Sequence, residues 1–135
     1  MSKWIAAAAF VSLVTMVIHV RAGGPEVHDA LLAADIPVIL KTYVSVIWHV
    51  STAVLLVNSA ALAVAAVSAP MRRPLVWVVV LQYLAYAALF VAYPLVNLGT
   101  LSDMPQWLVF IAISALALMG TAGSPVAACA GARRS

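Results

Sequence analysis

The stretch YVSVIWHVSTAVLLVNSAALAVAAVSA, Tyr43 to Ala69, decides the fold. It carries no Asp, Glu, Lys or Arg, and as a helix it is long enough to cross the roughly 30 Å hydrocarbon core of a bilayer. One stripe along it is mostly small or polar: Ser45, His49, Thr52, Leu56, Ser59, Ala63 and Ala66. Steps of four and three put those positions on one helix face. Small residues let a second helix approach closely in lipid, and hydroxyls and imidazole can hydrogen-bond across the contact. A histidine on such a face turns towards protein rather than lipid.

The composition agrees. Of 135 residues, 66% are hydrophobic and 8% charged, against about 45–50% and 25% in soluble domains. With a mean hydropathy of +1.12, the chain reads as one all-α integral membrane domain, 1–135. The net charge of +3 comes from basic residues scattered at the ends of apolar segments. They are topology signals, not a nucleic-acid surface. One cysteine, Cys129, excludes an internal disulfide and any multi-cysteine metal site.

Outward from that helix, the expected spans are about 4–21, 43–69, 75–98 and 106–123. The first has its own patterned stripe, Ile5, Ala8, Ser12, Thr15 and His19. A cleaved leader needs no such face, and the apolar run exceeds the 7–15 residues of a typical leader core. We therefore expect span 1 to be retained. Gly23-Gly24-Pro25 is expected to break it, with a short interfacial helix following from Pro25 through Leu32. Asp35 is the expected cap of helix 2, and Lys41 the residue that snorkels at its entry. The link Met71-Arg72-Arg73-Pro74 makes helices 2 and 3 antiparallel neighbours. Gly120, Gly123 and Pro125 end helix 4.

Lys3, Arg72-Arg73 and Arg133-Arg134 fall on one side, and Arg21 and Lys41 against Glu26, Asp29 and Asp35, plus Asp103, on the other. The positive-inside rule makes both termini cytoplasmic and the long loop external. The expected location is a bacterial cytoplasmic (inner) membrane.

Chemistry-bearing residues collect at the outer end. His19 and His49 lie at similar depth on helices 1 and 2, with Trp48 and Thr52 beside the latter. Tyr93 and Asn97 occupy the matching end of helix 3, and Glu26 and His28 lie on the loop. Imidazoles from two helices at one depth can ligate iron, copper or zinc, as an ion or as haem. His19, His49, His28 and Glu26 are the candidate ligands, and Tyr93, Asn97, Thr15, Thr52 and Trp48 the surrounding shell or pocket. Two other readings stand beside this one. In one, the histidines are packing groups in an accessory subunit of a larger membrane complex; in the other, they line a quinone or small-molecule pocket. Asn58, off the helix 2 stripe, favours a homo-oligomer or larger complex, because in a monomer it lacks an obvious partner. Gln82 and Tyr86 are expected inside the bundle, and Tyr83 against lipid or in general packing. No span contains Lys, Asp or Glu, which excludes a retinal-type Schiff base and argues against carboxylate-driven transport. No phosphate-cradling loop, serine nucleophile motif or zinc-protease motif is present, so enzymatic chemistry would need a bound cofactor.

His19 followed by Gly23-Gly24-Pro25-Glu26, the acidic-apolar stretch through Leu31-Leu32, and Trp48-His49 with Thr52 together resemble a family of small four-span bacterial membrane proteins. The resemblance implies the topology and draws attention to His19 and His49. It implies no activity.

Overall fold

The computed structural model describes residues 1–122. Four helices are present among them: α1 (Lys3–Ala33), α2 (Val38–Val67), α3 (Ala69–Asn97) and α4 (Gln106–Ala122). The first three have 31, 30 and 29 residues and are long and apolar enough to cross a membrane, while α4 is apolar with 17. The tail with Gly123, Pro125, Cys129 and Arg133-Arg134 lies outside the described residues.

The helices pack in chain order around a closed ring: α1 on α2, α2 on α3, α3 on α4, and α4 back on α1. Short connections force antiparallel neighbours. The α2–α3 link is shorter than its Arg-Arg-Pro sequence suggests. Ser68 alone interrupts the helices, with an extended backbone (φ −101°, ψ 107°), and Met71 to Pro74 already belong to α3. Proline suits the first turn of a helix, where its missing N–H has no partner to lose, and Pro70 sits there. At the far end α3 closes on Gly99, whose φ of +70° is a conformation that glycine reaches without a Cβ penalty. The amides of Leu98 and Gly99 both donate to the Pro94 carbonyl.

Two basic side chains close helix ends. Lys41 Nζ donates to the Leu32 carbonyl at 2.7 Å, tying α2 to the end of α1 rather than reaching only for water. Arg72 donates to the carbonyls of Ala65 and Ala66 at 3.2 and 3.4 Å, and the Ser2 amide adds a 2.8 Å bond to Ala66. The last carbonyls of a helix have no partner within it, so these cations satisfy the end and oppose the helix dipole. Asp35 does not cap α2. That helix begins after Pro37 with no side-chain cap.

The core confirms the α1 stripe, with Ile5, Ala8 and Ser12 buried, and most of the α4 stripe, with Phe110, Ser114 and Ala117 buried. On α2 the buried face is turned by about one residue from the expected stripe. Leu55, Asn58, Ser59, Leu62, Ala65 and Ala66 face inward, while Leu56 and Ala63 face outward. On α3 the centre is Tyr83, fully buried, with Gln82 and Tyr86 only half-buried. The Tyr83 hydroxyl hydrogen-bonds Ser12 Oγ, which lies 2.8 Å from Ser59 Oγ, and Asn58 lies beside that hydroxyl. Asn58 is thus an interior residue, 4% exposed, and its Nδ2 is buried without a hydrogen-bond partner. Polar groups from three helices therefore meet in mid-bundle, where no water competes and their pairing fixes helix register.

Close packing between α1 and α4 depends on Gly120. A Cβ there would clash with the Ile5 side chain and come within 2.7 Å of Ser2 Oγ.

Tyr83→Phe, which leaves Ser12 without that partner, is expected to lower stability in detergent by about 1 kcal/mol. Tyr83→Ala also opens a cavity and should cost about 3–5 kcal/mol. Thermal or denaturant unfolding in detergent checks both.

Candidate functional site

The histidines gather around one ring. Trp48, on α2, carries the His19 imidazole stacked at a centroid distance of 4.0 Å and 20° between planes. His28 also lies against the indole, at 5.6 Å and 27°. The His49 ring meets that of His28 edge-on at 5.7 Å. Gly23 completes the contact, since a Cβ at that position would sit 3.0 Å from Trp48 Cη2. A Cβ there would make the indole edge give way by a few tenths of an ångström.

This arrangement follows from the winding of α1. His19 and His28 are nine positions apart, two and a half turns of an α-helix at 3.6 residues per turn, which puts them on opposite faces. Over His19–Asp29, however, the backbone is wound as a π-helix. Its i→i+5 bonding takes roughly four and a half residues per turn, so His19, Gly23 and His28 fall one above another. Gly23-Gly24-Pro25 therefore does not break the helix, and the expected separate short helix is the second half of α1. Pro25 has no N–H and in an α-helix its ring would meet the carbonyl four residues back. The wider turn moves that carbonyl aside and keeps the backbone helical through Ala33.

His28 is held from both sides. Its Nδ1 lies 3.4 Å from Asp29 Oδ1 and its side chain is 14% exposed. Its Nε2 lies 3.1 Å from Ser45 Oγ on α2. A carboxylate at Nδ1 favours the tautomer with the proton on that nitrogen and the lone pair on Nε2. That lone pair then accepts from the Ser45 hydroxyl and aims at α2. His49 is four residues after Ser45, on the same face. It is exposed at the bundle perimeter, and not buried on an interior stripe. His19 Nε2 is buried without a hydrogen-bond partner.

The other candidates lie elsewhere. Tyr93 is 66% exposed, and Asn97 donates to the carbonyl of Tyr93 on its own helix. Thr15 and Thr52 likewise donate to backbone carbonyls one turn back, those of Val11 and Trp48. Glu26 is exposed on α1. Among the described residues no three His, Cys, Asp or Glu side chains converge as a metal-holding group. The lateral groove of about 320 Å³ between α1 and α2 is lined by Ala9, Phe10, Leu13, Leu56, Ser59, Ala60 and Ala63, and by no histidine.

Two participants escaped the sequence reading. In the sequence Asp29 counts only among the acidic residues of the external side, although its adjacency to His28 is a usable signal. Tyr83 shares helical spacing with Val76, Val80 and Ala87, all buried, and that pattern alone marks it as central.

Gly23→Val is expected to displace Trp48 and lower the thermal midpoint by several degrees, about 1–3 kcal/mol of overpacking. Gly24→Val, where a Cβ meets nothing within 4 Å, should leave it unchanged or raise it, because glycine is a poor helix former. Parallel thermal melts of the two variants read the difference. No protein-family model, curated protein or solved structure matches this chain, so its site stands on its own residues.

Proposed function

We propose that the protein is a four-span bacterial inner-membrane protein that binds a transition-metal ion, copper or zinc, through His28 and His49 at the outer membrane surface. The observation that carries this reading is the 5.7 Å separation of the two imidazoles, with Asp29 behind His28. A nitrogen binds such an ion at 2.0–2.1 Å, which puts its ring centroid about 3.2 Å from the metal. Two centroids sharing one ion at tetrahedral to linear angles are then about 5.2–6.4 Å apart. The ion displaces the Ser45 hydroxyl from His28 Nε2, and water or another ligand fills the remaining positions. That leaves the ion exchangeable and gives the protein a binding or handling role instead of catalysis. An ion fits better than haem or quinone, because the groove between α1 and α2 has no histidine on its wall.

Depth supports the placement. Lys3, Arg72 and Arg73 mark the cytoplasmic end by the positive-inside rule. About 20 residues of helix cross the hydrocarbon core. Counting back from Ala66 on α2 reaches the outer boundary near Trp48, and counting forward from Trp4 on α1 reaches it near Gly23. In this reading the π-wound segment lies where α1 leaves the hydrocarbon core. α4, with 17 residues, is just long enough to be the fourth span. Both termini are then cytoplasmic.

A second reading, an accessory subunit of a larger membrane assembly, is favoured by the small residues Ala9, Ser59, Ala60 and Ala63 lining the lateral groove, which suit close approach of a foreign helix.

Metal analysis of detergent-purified protein decides between them. The metal reading expects near-stoichiometric copper or zinc after loading, and at least tenfold weaker binding in His28→Ala and in His49→Ala. Asp29→Asn should weaken binding by about 10–100-fold, the usual effect of removing a group that orients a ligand. His19→Ala should retain the metal and lose only stability. A wild-type protein that takes up neither metal overturns the reading.

A further inference from the structure

We infer that the ion at His28 and His49 joins two copies of this chain, which meet across the seam between α1 and α2; the inference rests on the metal reading above. Zinc closes its shell with four ligands, and one chain offers it two imidazoles. Among the described residues no third His, Cys, Asp or Glu converges on them. His49 is exposed at the bundle perimeter, so the pair is open to a neighbour. A second His28–His49 pair supplies the two missing nitrogens. It also brings a second Asp29 behind its His28, and the two carboxylates match the charge of a divalent ion.

The membrane limits how two copies can meet. Both are inserted in one orientation, so identical residues lie at one depth, and a two-fold axis along the membrane normal sets His49 opposite His49. The face that carries His49 suits that contact. Leu56, Ala60 and Ala63 follow it at steps of seven, four and three, on the same side of α2. They extend to about 21 Å below it at 1.5 Å per residue and line the lateral groove of about 320 Å³. On the α1 side of that groove Phe10 is 67% exposed. A projecting ring beside a hollow of small residues is self-complementary, because under a two-fold each copy's ring meets the other's hollow. A foreign helix would fill the hollow alone. A second copy fills the hollow and the shell of the ion together.

Sedimentation of the full chain in detergent, titrated with zinc, tests it. The expected course is monomer without zinc, dimer greatest near one zinc per two chains, and monomer again when excess zinc gives each pair its own ion. At the dimer maximum, X-ray absorption should show about four nitrogen ligands to zinc. A60L fills the hollow from an exposed position and touches no ligand. With excess zinc it should load as wild type does, while dimerising on the order of tenfold more weakly. Three results overturn the inference and leave the metal reading standing: zinc uptake with no dimer at any ratio, a dimer that zinc does not alter, or an A60L variant that dimerises like wild type. A chain that takes up no zinc also overturns it, and failure to take up copper as well overturns the metal reading itself.

Discussion

In a bilayer each backbone amide and carbonyl must find its partner within the protein, since no water is available to serve instead. Much of what is particular to this bundle answers that requirement at places where a regular helix would leave groups unpaired. Lys41 and Arg72 are spent on the ends of α1 and α2. Ser2 reaches across to the last turn of α2 through its amide, and to the Gly120 carbonyl near the end of α4 through its hydroxyl. Gly23-Gly24-Pro25 is absorbed by changing the pitch of α1 rather than ending it. In water the same tripeptide opens a loop at little cost.

The change of pitch then has a chemical result. Two histidines that regular helical geometry would send to opposite sides come to lie along one indole. The indole can approach because Gly23 leaves room for it. His28 is thereby turned so that one nitrogen meets a carboxylate and the other faces α2. Backbone satisfaction, side-chain stacking and imidazole tautomer are linked steps in one short segment. The mid-bundle cluster of Ser12, Ser59 and Tyr83 works differently, since its hydroxyls satisfy one another. Its contribution is to set the rotation of α1, α2 and α3 from which the histidine end is built.

Much of this was legible in the sequence. Helical class, the long apolar helices and the inward face of α1 follow from composition and 3.6-residue spacing, which hold wherever the helix is regular. Reading α2 by its small and polar residues failed by about one position. Leu55 and Leu62 fill the core as well as small residues do, so size alone does not mark the buried face. The gathering of histidines at one end was legible, but not which of them meet. His28 looked like a loop residue because Gly-Gly-Pro ordinarily ends a helix, and no spacing rule based on α-geometry pairs positions 19 and 28. Tyr93 and Asn97 were placed by depth alone, and depth carries no information about azimuth around the bundle.

Ser68 has a consequence for how the protein is made. One residue separates two helices that each exceed the thickness of the hydrocarbon core, so there is no slack for one to settle before the other. They enter a bilayer together, as a preformed hairpin with Ser68 at its turn. Orientation is therefore decided once, for the central pair, and α1 and α4 have only to dock against a template whose direction is already set.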